Sequence, residues 1–400
     1  MLKKLINGIK YWGQVFLLPV YGFSFITPRN KKIWVFGSTF GRRFADNPKY
    51  FYLYMNQYHP VDIKPIWISK NKKVIELLQE NKLEAYYLYS AKGIYYCLRS
   101  KVFIYDNYTK DISFTLSGGA IKINMWHGIP LKKINRDNKF DTIRNSQSIK
   151  DRLRWALRRM TNEKPSHYVL TTSEYLRPVF SSAFGTNKVL TYGYPRNDFL
   201  VSEKIKNVFS QEEKLLNSKI EEFKGKKVLY MPTFRDKEIV YWENINLHEF
   251  QSFLHNNNML FCIKLHPKSK LIKYFLNIDK KYNNIVIIDS EWDPYQLLKM
   301  SDILVTDYSS TYFDFLCRNK PIIFFDYDKN EYLVNCRELY FDYEEFTPGI
   351  KVKTIKELEF ALLQEDNYGE ERQRILYKVF DDTLFAASER IYRKISAEIL

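Results

Sequence analysis

"AIKINMWHGIP", residues 120–130, opens as a strand and closes as a turn. Ile121, Ile123 and Met125 fall on one face and Lys122 and Asn124 on the other, the two-residue period of a pleated strand. Trp126 breaks the alternation. Behind it His127, Gly128 and Pro130 cannot continue a strand interior. The stretch therefore delivers a histidine and a close-approach glycine to the carboxyl end of a strand. "FCIKLHPKSK", residues 261–270, repeats the device: an apolar run from Met259 to Leu265 reaches His266, and Pro267 stops it.

Working outward, strands and helices alternate around both histidines. "KKIWVFGST", "DIKPIWIS", "KVFIYDNY" and "HYVLTTSE" read as buried strands, with "NKKVIELLQEN", "AKGIYYCLRS" and "YLRPVFSSAFG" as helices among them. A polar, charged stretch from Val201 to Lys227 reads as a crossing between domains. The pattern then restarts with strands in "KVLYMPTF", "MLFCIKLHP", "NNIVIIDS", "DILVTDYSS" and "KPIIFFDYD". Such alternation predicts an α/β protein of two doubly wound, parallel-sheet domains facing a central cleft. In such sheets ligands bind outside the carboxyl ends of the strands, so His127 and His266 are expected to share that cleft. The expected boundaries are an amphipathic segment over 1–26, an N-terminal domain over 27–205, a C-terminal domain over 206–375 and a closing helix over 376–400.

Composition narrows the partners. The 400 residues carry 62 Lys and Arg against 46 Asp and Glu, a formal charge of +16 that favours phosphorylated or otherwise anionic partners. The basic residues follow no RRM, KH or OB pattern, so nucleic acid is not an expected partner. Four cysteines stand far apart with no CxxC pair, which supports neither a metal site nor a disulfide framework and fits a reducing compartment. In the first 26 residues Leu2, Leu5, Ile6, Ile9, Trp12 and Phe16 share a helical face opposite Lys3, Lys4 and Lys10. Pro19 and Gly22 interrupt the apolar run, so the segment reads either as an interfacial helix or as one docked on the protein's own core. The stretch Leu131–Met160 holds ten Lys or Arg against three Asp. Within it Ile149, Leu153, Ala156, Leu157 and Met160 form an apolar stripe away from Arg152, Arg158 and Arg159. That pattern suits either a membrane surface or packing by the stripe.

Further candidates surround the histidines. "DILVTDYSSTYFDFL" places Asp307, Ser309 and Ser310 between a strand and a helical stretch containing Asp314, where hydroxyls at a helix start make an anion site. "MPTFRD" offers Thr233 and Arg235 at another strand end, and an arginine there can grip a phosphate with two prongs. "GYPRND" places Arg196 near the domain crossing. There is no GxGxxG and no Walker pattern, and no acidic pair at a strand end is read as a divalent-ion site, so no cofactor or metal is expected.

In order along the chain, "WHGIPLKKI", "GYPRND", "MPTFRD", "KLHP", "SDILVTDYSSTYFDFLCRNKPIIFFDYDKNEY" and "RELYFDYEEFTPG" resemble the CDP-glycerol glycerophosphotransferase family of teichoic-acid primases and polymerases. The resemblance runs from about Trp34 to the final "ASERI". It departs at Ile129, where Thr is common, and at Ile350, where Pro often follows Gly349. It implies a GT-B fold, no cofactor, and transfer of glycerol phosphate from CDP-glycerol to a polyprenyl-diphosphate-linked saccharide acceptor. The anionic, cytoplasmic face of the membrane would be the place of work. Carried onto this chain, it implies His127 and His266 as catalytic residues and donor-phosphate contacts near Arg235, Ser309 and Ser310; Gly128, Arg196, Thr233, Asp307 and Asp314 complete the residues expected on the donor side. His127 would be the base and His266 the stabiliser of the pyrophosphate, although the sequence allows the reverse. A CDP-ribitol enzyme or a nucleotide-sugar glycosyltransferase of the same fold fits the same residues.

Overall fold

The computed structural model describes residues 15–400 apart from 60, 141, 142, 147, 164, 165, 235–240, 243, 244, 277–280 and 330–337. Two sheets emerge, parallel at every recorded strand pair. The first holds β1 (Asn30–Phe36), β2 (Lys64–Ser69), β3 (Ala85–Tyr87), β4 (Ser100–Tyr105), β5 (Ile121–Asn124), β6 (Tyr168–Thr171) and β7 (Val189–Thr191), in the order 3-2-1-4-5-6-7. The second holds β8 (Lys226–Tyr230), β9 (Met259–Lys264), β10 (Ile285–Ile288), β11 (Ile303–Thr306), β12 (Ile322–Phe325) and β13 (Ile350–Val352), in the order 10-9-8-11-12-13. Each order reverses once, between β1 and β4 and between β8 and β11. These reversals are the crevices where doubly wound sheets take ligands.

The central strands are apolar on both faces because helices cover both, as parallel sheets require. Trp34, Val35, Phe36, Val102, Phe103 and Ile104 are fully buried in the first sheet, as are Val228, Leu229, Leu304 and Val305 in the second. The polar crossing stretch contains a helix, Gln211–Glu222, started by a reciprocal cap between Ser210 and Glu213. The C-terminal helices return to the first domain. There the Asp198 carboxylate accepts from the backbone N–H of Ala387 (2.9 Å) and Ser388 (2.8 Å), and Tyr392 packs on Trp34.

The first 14 residues, with most of the predicted amphipathic face, lie outside the described residues. Beyond them the chain turns helical over Leu18–Phe23 and tolerates Pro19 in its first turn. Phe16 is 83% exposed, and Phe23 and Ile26 also stand in solvent. Helix Ile149–Arg158 buries none of its residues, and its predicted apolar stripe leaves Ile149 77% and Leu153 53% exposed. Leu157 and Met160, at the other end of the stripe, are half-buried. No helix among the described residues is long and apolar enough to cross a membrane.

Candidate active site

The turn after β5 is built by backbone that ordinary residues avoid. Trp126 has φ 52° and Gly128 φ 147°. A Cβ on Gly128 would stand 3.1 Å from Arg196 Nη2 and 3.2 Å from Ser310 Oγ, so the chain passes there with clearance only for glycine. Buried Asn47 holds the turn. Its Nδ2 donates to the carbonyls of Met125 (3.2 Å) and Trp126 (2.8 Å), and the Trp126 N–H donates to Asn124 Oδ1 (2.9 Å). Tyr194 adds a longer contact from its hydroxyl to the Gly128 carbonyl, 3.4 Å.

This turn leaves His127 exposed, with Nδ1 3.2 Å from the Asp106 carbonyl oxygen. A carbonyl only accepts, so that bond puts the proton on Nδ1 and leaves the Nε2 lone pair open. His266 has the opposite tautomer. Its Nδ1 accepts the Lys268 N–H at 3.1 Å, so in the neutral ring the proton sits on Nε2. Burial, together with the positive charges of Lys268, Arg43 and Lys264, holds the His266 imidazolium below the usual range and favours the neutral ring. One imidazole is set to take a proton and the other to donate a hydrogen bond.

Both rings line one cleft of about 430 Å³ between the sheets, together with Gly128, Lys132, Thr233, Tyr308, Ser309 and Ser310. The second sheet's reversal point forms its far wall. Asp307, expected on the donor side, instead turns its carboxylate to the Thr233 N–H, 2.9 Å from each oxygen, and ties the two loops of that wall together. Ser309 and Ser310 line the cleft, and of the two only Ser309 meets the helix start with its side chain, its Oγ accepting the Thr311 N–H at a long 3.4 Å. The helix behind them, Thr311–Phe315, has only five residues, and Ser310 at its start makes no capping bond. Their hydroxyls, rather than a helix terminus, are what the cleft offers.

Arg196 and Asp314 also differ from expectation. Arg196 is 1% exposed, and its Nε and Nη2 donate to the two Asp314 oxygens at 3.1 and 2.8 Å while Nη1 donates to Asp46 at 2.7 Å. The pair joins the domains beneath the cleft and leaves neither charge open to a donor. Tyr50 and the Asp46 N–H extend the joint to Asp293, at 2.6 and 2.9 Å. Arg235 lies outside the described residues. Arg152, Arg158 and Arg159 do not line this cleft.

A protein-family profile described as CDP-glycerol:poly(glycerophosphate) glycerophosphotransferase matches residues 20–397. The chain belongs to that family. This glycerophosphotransferase is 27% identical to a teichoic acid poly(glycerol phosphate) polymerase of Bacillus spizizenii, over 96% of this chain and 97% of that one. It is 30% identical to the Staphylococcus epidermidis protein of the same name over 79% of this chain, but spans only 43% of that longer relative. Its fold matches a solved structure of the wall teichoic acid polymerase TagF with a TM-score of 0.74, covering all of both chains at 24% identity. The two-domain GT-B-like expectation stands.

Sequence reading passed over Asn47 and Tyr194, which hold the turn, and Lys132 and Tyr308, which line the cleft. Asn47 sits in "ADNPKY" at the start of helix Asp46–Tyr58, where an asparagine reads as a helix-start residue. Nothing local says that its side chain reaches the turn 78 residues away.

Proposed function

We propose that the chain transfers glycerol phosphate from CDP-glycerol to a hydroxyl of a polyprenyl-diphosphate-linked acceptor at the cytoplasmic face of the membrane, releasing CMP. The observation that carries this reading is the pair of oppositely set histidines in one cleft. The acceptor hydroxyl oxygen attacks the phosphorus next to glycerol and its proton passes to His127 Nε2. A new oxygen–phosphorus bond forms, the pyrophosphate bond breaks, and CMP leaves with the electron pair. His266 donates from Nε2 to a pyrophosphate oxygen, with the Ser309 and Ser310 hydroxyls and Arg235 as further donors. The exposed Ile149 and Leu153 beside Arg152 and Arg159 support membrane-surface attachment, as do the bare Phe16, Phe23 and Ile26.

The test offers purified protein CDP-glycerol, CDP-ribitol and UDP-sugars with a lipid-linked disaccharide and reads the products by mass spectrometry. CMP and a glycerol-phosphate-extended product are expected from CDP-glycerol. His127→Gln should lower kcat by about 10²–10⁴-fold and His266→Gln should also impair transfer, both with unchanged melting. Preferred turnover of CDP-ribitol, or release of UDP with a glycosylated product, would replace the proposal with the corresponding reading.

A further inference from the structure

The cleft uses the second sheet's reversal point. The first sheet has its own, between β1 and β4, and no residue of the loops leaving those two strands at 38–41 or 106–110 lines the cleft. Three cations gather there on neighbouring strands. Arg42 follows β1, Lys70 follows β2 and Lys110 follows β4. Lys70 Nζ donates to the carbonyls of Phe40 (3.1 Å) and Lys110 (2.5 Å). Among the described residues, the Lys110 ammonium and the exposed Arg42 guanidinium have no hydrogen-bond or ion-pair partner. Burial, then the charge of Lys70, pushes Lys110 down to about 8.

The nearest carboxylate is occupied. Asp111 accepts the backbone N–H groups of Phe40 (2.7 Å), Asn107 (2.7 Å) and Tyr108 (3.2 Å), and burial beside Asp106 pushes its carboxyl up. These bonds, with those from Ser38 and Thr39 to Asp106, hold three successive residues in left-handed backbone: Thr39 (φ 48°), Phe40 (φ 58°) and Gly41 (φ 79°). Two of the three are not glycine, a strain that persists only where the surroundings enforce it. The result is a shelf with Phe40, 41% exposed, tilted against Tyr108 at 6.1 Å between ring centres. Asp106 also receives the His127 Nδ1–H, so shelf and base share one support.

We propose that Arg42, Lys70 and Lys110, around the Phe40–Tyr108 pair, form an anionic subsite that holds a phosphoryl group of the acceptor while its hydroxyl stands at His127. The inference rests on the transfer reading above. Neighbouring strands lie about 4.8 Å apart. Lys110 follows the strand next to that of His127 and Lys70 the strand two further along, so the strands that carry them stand roughly 5 and 14 Å from β5. That span accommodates a hydroxyl-bearing unit and the phosphate behind it. A half-buried, unpaired ammonium is costly by itself, and a phosphate oxygen supplies the charge-assisted bond it lacks.

The experiment measures Arg42→Gln and Lys110→Gln, which remove no hydrogen bond within the protein, with Lys110→Arg as the conservative variant. Binding of a synthetic glycerol-phosphate oligomer is read by calorimetry without turnover. Acceptor and donor KM are read with a lipid-diphosphate disaccharide, bare or extended by glycerol phosphate units. Each Gln variant should weaken oligomer binding or raise acceptor KM about 10-fold, leave the KM for CDP-glycerol unchanged, and be largely rescued in Lys110→Arg. A defect confined to extended acceptors assigns the shelf to chain phosphodiesters, and an equal defect with the bare acceptor assigns it to the linkage diphosphate. Unchanged binding and acceptor KM, or a defect in donor KM alone, overturns the proposal. Oligomer binding that depends on these cations in a protein that transfers no glycerol phosphate would uphold the subsite and refute the transfer reading.

Discussion

Asp314→Asn is the substitution that separates a structural joint from a donor contact. Asp314 is buried in the second domain and collects four donors: Arg196 Nε and Nη2 at 3.1 and 2.8 Å, Asn197 Nδ2 at 3.0 Å and the Tyr295 hydroxyl at 3.1 Å. Burial by itself would lower Arg196, yet the charges of Asp314 and Asp46 hold it well above its usual range. An asparagine keeps the shape but offers one acceptor oxygen, and on either carboxylate position its N–H₂ meets an Arg196 nitrogen that can only donate. Removing one partner of a buried ion pair costs about 3–5 kcal/mol. Asp46 still faces Arg196 with its side chain 21% exposed, which places this case near the lower value.

At about 2 °C per kcal/mol for a chain of this size, the melting temperature should fall by roughly 6 °C. Stability of about 5–15 kcal/mol leaves the variant folded at assay temperature. Calorimetry gives the first number and initial rates the second. The KM for CDP-glycerol should move less than threefold, because the charge that is lost does not face the cleft. Arg196→Met combined with Asp314→Leu should melt above either single variant, since an apolar pair of similar volume replaces a buried ion pair at little cost. A melting temperature within 1 °C of the parent together with a tenfold higher donor KM would refute the reasoning and return both residues to the donor.

Lys264, buried behind His266, is pushed down to about 7, first by burial and then by Arg43. Between pH 7 and 10 the unfolded chain holds that proton and the folded chain does not, so stability should rise with pH across that window. Lys264→Met should melt higher at pH 7 and lose much of the rise, as calorimetry at pH 7 and 9 can check. Replacing Arg152, Arg158 and Arg159 together with Gln should abolish flotation with anionic liposomes at low salt, at about 1 kcal/mol per charge removed. Flotation that is unaffected by the triple substitution, or by salt, would place the attachment elsewhere.

What could be read from the chain divides by the range of the interaction. Strands with four or more successive buried residues, such as Ile33–Phe36 and Met259–Lys264, announce themselves by composition. Ala85–Tyr87 and Val189–Thr191, at the two edges of the first sheet, and Ile350–Val352, at one edge of the second, are three residues long and show no period. The crossing stretch looked like a linker because its residues are polar, although Ser210 with Glu213 three positions on is a helix-start signature.

The two histidines were legible because the residues that end their strands, Gly128 with Pro130 and Pro267, are neighbours in sequence. Arg196 and Asp314 show where that stops. An arginine that grips a phosphate and one that grips a carboxylate need the same side chain, and both favour a loop near a cleft. What separates them is whether the charge is buried and already paired. Here 118 residues of chain separate the partners, and the pairing exists only once the two sheets have closed on each other. Lys110 makes the converse case. Its position after β4 is as local as that of His127, but only the packed structure shows that Lys70 stands beside it and that Asp111, the acid next to it in the chain, has been spent on backbone N–H groups.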